Sequence, residues 1–271
     1  MRKPAVAGQF YPDRIKDLHN AIIEAFTHPL GPGEVPSLSP ERKGKILGGV
    51  VPHAGYIYSG PVAANFYHEL ALDGFPESFI IIGPNHTGLG SMVSMALEDF
   101  QTPYGIAKID KDLARLIHKG IVDVDIQAHI YEHSIEVQLP FLQFFKREIK
   151  FVPIVMMAQD YEFAHELSGI IHDAISERDV VVIASSDFSH YVPKKSAYER
   201  DLKAINFLLS GDIKSFYRAI EEYNVTACGY GPIATAMMAT KGRARLLKYA
   251  TSGDVFPMEE VVGYASISIE R

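Results

Sequence analysis

The chain has 271 residues, 47% of them hydrophobic, with a formal net charge of -7 and a pI near 5.9. That length supports a large core and still fits one folding unit, so a single domain over residues 1–271 is expected. The acidic balance, with no Lys/Arg stripe interleaved with aromatics, excludes a phosphate-backbone footprint, and nucleic acid is not an expected partner. The opening MRKPAVAGQFYP lacks an apolar leader core, and no stretch reaches the ~18 apolar residues of a spanning helix, so a cytoplasmic protein with no membrane role is expected. A single cysteine, Cys228, excludes an internal disulfide framework.

In chain order, the segment Pro29 to Pro40 is rich in Pro, Gly and Ser and reads as a surface loop. Four short runs rich in Val and Ile then read as buried parallel strands: Ile46 to Val51, Phe79 to Ile82, Phe151 to Met156 and Val180 to Ala184. Helical patterns lie between them at Pro61 to Leu70, Leu113 to Lys119, Ser134 to Phe145 and Phe163 to Ala174. Met92 to Leu97 interrupts the alternation as a further strand, and Thr102-Pro103-Tyr104-Gly105 is a turn before Ile106 to Ile109. Helices follow at Ser196 to Leu209, Ile213 to Glu222 and Pro232 to Met238, with closing strands near Arg245 to Ala250 and Val261 to Ile269. The expected fold is α/β, a central mixed sheet flanked by helices.

Ligands of open α/β sheets bind beyond the carboxyl ends of the strands. The first predicted strand runs into Pro52-His53-Ala54-Gly55, the second into Gly83-Pro84-Asn85-His86-Thr87-Gly88, and the fourth into Ser185-Ser186-Asp187-Phe188-Ser189-His190. His53 and His86 are framed by Pro and Gly, which fix tight turns, and imidazole pairs held in this way suit a transition metal. Asp187 and His190 share one face if the chain turns helically after the strand, where Ser186 or Asp187 would also serve as an N-cap. Cys228 precedes a helix opened by Pro232, so its thiolate is expected to gain from the helix dipole, as a metal ligand or as a nucleophile. In Glu132-His133-Ser134-Ile135-Glu136, His133 is a candidate acid/base group with Glu136 as its orienter; the same acidic residues also suit the first turn of a helix.

Seven segments, PAVAGQFYP (residues 4–12), VPHAGYIYSG (51–60), GPNHTG (83–88), TPYG (102–105), EHSIEVQLPFL (132–142), SSDFSHY (185–191) and CGYGPI (228–233), occur in order over nearly the whole chain. Together they resemble the Memo family, whose bacterial and archaeal members are called AmmeMemoRadiSam system protein B. The resemblance implies a fold similar to class III extradiol dioxygenases, which hold iron with two histidines and a glutamate. It makes His53 and His86 the imidazole ligands and puts Cys228 where a carboxylate would stand. It further implies metal-linked redox activity with iron or copper, and a pathway link to a radical-SAM enzyme and an AMMECR-type protein. A thiolate in the set also admits zinc; no nucleotide cofactor is expected.

Three functions fit these residues. The first is a metal-dependent oxidoreductase with His53, His86 and Cys228 as ligands, Asp187 and His190 lining the cleft and His133 moving protons. The second is a Cys228-dependent hydrolase with a histidine base, for which no G-x-S-x-G elbow or similar signature is present. The third is a non-catalytic scaffold whose cleft takes a peptide or small ligand.

Overall fold

A computed structural model describes all 271 residues. Eleven strands are present: β1 (Ile46–Val51), β2 (Ser78–Pro84), β3 (Val93–Met95), β4 (Phe100–Thr102), β5 (Gly105–Ile109), β6 (Asp123–Val124), β7 (Lys150–Met156), β8 (Val180–Ser185), β9 (His190–Pro193), β10 (Arg243–Thr251) and β11 (Glu260–Glu270). The main sheet runs β10-β11-β1-β8-β2-β7-β3-β6. Its centre, β1-β8-β2-β7, is parallel, whereas β11 is antiparallel to β1 and β3 is antiparallel to β7. The sheet is therefore mixed, and the four apolar runs form its parallel interior. Strands buried on both faces cannot alternate polar with apolar residues, which is why these runs are almost continuously Val and Ile.

The helices are α1 (Ile15–Thr27), α2 (Tyr56–Asp73), α3 (Lys111–Ile117), α4 (Gln127–Ile130), α5 (Leu139–Phe145), α6 (Tyr161–Ile175), α7 (Lys194–Ser210), α8 (Ile213–Glu222), α9 (Tyr230–Thr240) and α10 (Ser252–Val255). Gly48 and Gly49 of β1 show how two of them cover the sheet. A Cβ on Gly48 would meet Thr240 of α9, and one on Gly49 would collide with the Phe66 ring of α2. Successive strand residues face opposite sides, so α2 and α9 lie on opposite faces. One cluster of 68 buried hydrophobic residues includes both faces, and the molecule is a single α/β domain. No helix is long and apolar enough to cross a membrane.

Several expectations are corrected. Helix α2 begins at Tyr56, directly after the His53 turn, and takes Pro61 into its interior. Ser134 to Phe145 is not one helix: Ser134 and Ile135 are non-helical, a 3-10 turn covers Glu136–Gln138, and α5 starts at Leu139. The reason is tertiary: the Ser134 C=O accepts from the distant Ser185 hydroxyl, so it is not free to accept from Gln138, and its N–H is turned to the Glu132 carboxylate. Helix α1 was not anticipated although Leu18, Ile22, Ala25 and Phe26 supply a buried stripe at helical spacing.

The N-terminal segment is fastened to the same irregular stretch. The fully buried Glu136 carboxylate pairs with Arg2 and accepts hydrogen bonds from the Ala5 and Val6 amides and the Tyr11 hydroxyl. Removing one partner of such a buried pair leaves an uncompensated charge. Glu136→Gln is expected to lower unfolding free energy by about 3 kcal/mol or more, and to speed hydrogen exchange at Ala5 and Val6. A denaturant midpoint and exchange rates equal to the parent's would refute that role.

Candidate functional site

The parallel register fixes where the functional loops emerge. Val51 pairs with Ser185, Ile82 with Ala184 and Pro84 with Met156, so β1, β8, β2 and β7 leave the sheet along one edge. His53, Asp187 and His86 each follow two residues past such a strand end. Cys228 reaches the same edge from the segment before α9. Gly229 makes that approach possible, because a Cβ there would lie 2.6 Å from the Ser185 carbonyl oxygen and 2.8 Å from Ser186 Cβ.

Ligand atoms of His53, His86 and Cys228 all lie within 4.8 Å of one another. His53 is buried and its Nε2 is 3.2 Å from Cys228 Sγ. The His53 Nδ1 faces away, 2.9 Å from Ser185 Oγ. His86 is tied twice to Glu132: its amide donates to Oε2 at 2.7 Å, and its Nδ1 lies 2.9 Å from Oε1. Burial opposes the charge on Glu132, but His86 and the Ser134 amide outweigh it and hold its carboxyl down at about 2. An ionised carboxylate only accepts, so Nδ1 of His86 is the donor, and in the neutral ring Nε2 keeps a lone pair. Carboxylate–imidazole pairs of this kind orient metal-binding histidines.

His133 stacks on His86 with ring centroids 4.5 Å apart and stands edge-on to His53 at 5.3 Å. The anticipated Glu136–His133 pairing is absent, because Glu136 is spent on the N-terminal segment. Glu132 is the nearer carboxylate, 3.7 Å from His133 Nδ1. A second grouping of metal-binding types, His86, Glu132 and His133, shares His86 with the first, and its carboxylate is the one already bonded to that ring. Phe10, from the N-terminal segment, covers His133 at 4.7 Å.

Asp187 and His190 do not share a helical face. Residues 186–189 take no helical turn between β8 and β9, which starts at His190, so the expected N-cap is absent too. Ser186 Oγ instead accepts from the Gly229 amide, and the buried Asp187 carboxylate accepts from the His53 amide at 2.8 Å. Asp187 thus supports the turn that presents His53, and burial pushes its carboxyl up to about 6. His190 donates from Nδ1 to the Thr226 carbonyl at 2.9 Å. The dipole-stabilised thiolate is also corrected: burial, followed by the Asp187 carboxylate, pushes the Cys228 thiol well above its ordinary value. The sequence reading missed Glu132, Ser185 and Gln138 as supporting groups. Only Glu132 carried a signal, as an acidic residue next to a histidine.

Burial, with His86 nearby, holds His133 down at about 4. The unfolded chain then binds the extra proton between about pH 6.5 and 4, so this group's share of stability is complete above about 6.5 and is lost as pH falls through that window. His133 is expected to titrate near 4 by NMR in metal-free protein; a midpoint at or above 6 would contradict a neutral ring at the site.

A family model described as "Memo-like protein" matches residues 2–268. The chain is 47% identical to a MEMO1 family protein of Sulfurisphaera tokodaii over 98% of each chain. It is 45% identical to MEMO1 family protein MTH_45 of Methanothermobacter thermautotrophicus, over 99% of this chain and 100% of that one. Among solved structures, uncharacterized protein JW3007 from Escherichia coli K12 is similar in fold, with a TM-score of 0.57 and 11% identity over 83% of this chain and 100% of that chain. The matched segment, the near-complete coverage and the level of identity together place the chain in the Memo family.

Proposed function

We propose that this chain is a metal-dependent redox protein in which His53, His86 and Cys228 hold one iron or copper ion. The observation that carries the reading is the convergence of two imidazole nitrogens and a thiol within 4.8 Å. Bond lengths of about 2.0 to 2.3 Å put tetrahedral donors roughly 3.5 Å apart, so the donor set fits an ion after small adjustments. Two imidazoles and one thiolate leave coordination positions open, which suits a catalytic rather than a closed structural site. When bound, the ion supplies one-electron chemistry and Lewis acidity.

The chain's own groups supply the rest. Glu132 orients His86, and Asp187 holds the main chain of the His53 turn. A neutral His133 takes up a proton released from substrate beside the site. Phe10 shields that imidazole from solvent on one side. Cys228 as a free nucleophile is disfavoured, because its half-buried thiol beside the Asp187 carboxylate is held well above its ordinary value.

Protein purified under anaerobic, reducing conditions is expected to bind about one equivalent of iron or copper by elemental analysis. Cys228→Ser and His53→Ala should each abolish most of that binding, and retention of the parent's stoichiometry and affinity in both would sink the assignment. Because the thiol must lose its proton to ligate, and His53 is already held neutral by burial, apparent affinity should rise about tenfold per pH unit through neutrality. A flat profile in a metal-competition assay would show that Cys228 is not displaced from its proton by the ion.

A further inference from the structure

Ser185, the last residue of β8, is fully buried and its hydroxyl has three polar neighbours. The Ser134 carbonyl oxygen lies at 2.6 Å, Gln138 Nε2 at 2.8 Å and His53 Nδ1 at 2.9 Å. A hydroxyl offers one hydrogen and two lone pairs. The Ser134 carbonyl can only accept, so it takes the hydrogen. Gln138 Nε2 can only donate, so it occupies one lone pair.

The orientation of the Gln138 amide is itself fixed. Its Nε2 also faces the Pro52 carbonyl at 3.0 Å, and its Oε1 accepts from the Tyr67 hydroxyl at 2.5 Å. Flipping the amide would set its oxygen against the Pro52 carbonyl, which can only accept, and would cost the short hydrogen bond from Tyr67. Tyr67 and Gln138 are both buried, so these hydrogen bonds lie out of contact with bulk solvent. One lone pair of Ser185 therefore remains for His53, and in the neutral ring Nδ1 has to be the donor. The other nitrogen, Nε2, is left as a lone pair facing Cys228.

We propose that Ser185 and Gln138, backed by Tyr67, are positioning residues that lock His53 in its Nδ1–H tautomer and so present Nε2 to a metal ion beside Cys228. The inference rests on the metal reading above and extends it to a hydrogen-bond chain running from α2 through the 3-10 turn to the end of β8. The two imidazoles are thus prepared by different means. His86 has a carboxylate behind it, whereas His53 has a neutral hydroxyl whose only hydrogen is committed elsewhere.

The test uses the metal-free full chain labelled with nitrogen-15 at histidine, followed by titration with cobalt(II) as the metal probe. In the parent, long-range proton–nitrogen correlation at neutral pH should show a protonated Nδ1 and a bare Nε2 for His53. Ser185→Ala should mix or reverse the tautomers and weaken cobalt binding about 10- to 100-fold, while Ser185→Thr, which keeps the hydroxyl, restores both. An Nε2–H tautomer in the parent overturns the proposal without any variant, and so does a folded Ser185→Ala protein that binds cobalt as tightly as the parent. A parent that shows the Nδ1–H tautomer but binds no cobalt, iron or copper supports the tautomer assignment and overturns the metal reading.

Discussion

Val51 and Ser185 stand side by side where β1 and β8 leave the sheet in parallel, and the groups of the cleft are placed relative to that pair. Two residues beyond Val51 comes His53; two beyond Ser185 comes Asp187, whose carboxylate reaches back to the His53 amide. Ser185 itself meets the His53 ring, and Gly229 packs against its carbonyl closely enough to bring Cys228 alongside. A one-residue slip between these strands would turn Ser185 to the other face and break each of these contacts at once. The buried Val and Ile side chains on both sides of the strands are what forbid the slip.

Around this frame the protein sets two carboxyl groups to opposite tasks. Glu132 stays ionised far into acid because His86 and two main-chain amides bond to it, and it is spent on orienting an imidazole. Asp187 is pushed the other way by burial, and its hydrogen bond is spent on the main chain of the neighbouring turn. Groups driven apart in this way commonly mark a reactive site, because the environment has been built around particular protonation states. Three imidazoles packed within 5.3 Å of one another add to the case, since each disfavours a positive charge on its neighbours.

The N-terminal segment belongs to this construction as well. Glu136 binds Arg2, the Ala5 and Val6 amides and Tyr11, and this fastening carries Phe10 onto His133. The segment 132–138 consequently serves two sides: Glu132 and Gln138 support the imidazoles, while Glu136 anchors the chain end that covers them. Its departure from helical geometry follows from this double duty, because its side chains and main-chain groups bond inward to different partners.

Continuous Val/Ile runs, each ending in a Pro/Gly-framed or Ser-rich loop with a titratable residue, were legible in the sequence as parallel strands delivering His53, His86 and Asp187 to one edge. Burial on both faces leaves that imprint in composition, and chain direction then dictates which loops meet. The mixed character of the sheet was legible too, from the strand that interrupts the alternation, whereas the order of the strands and the arrival of Cys228 beside His53 depended on partners distant in sequence. Local pattern misread Ser134 to Phe145 as one helix and Asp187 to His190 as a helical turn, because propensity does not register a main-chain group already bonded to a side chain far along the chain. The sequence by itself determined the residue types available for chemistry and the strand ends that carry them. Tertiary structure alone decided which nitrogen of each imidazole faces Cys228 and which carboxylate stays charged, since both are set by hydrogen bonds and burial that exist only once β1, β8 and the 132–138 segment are packed together.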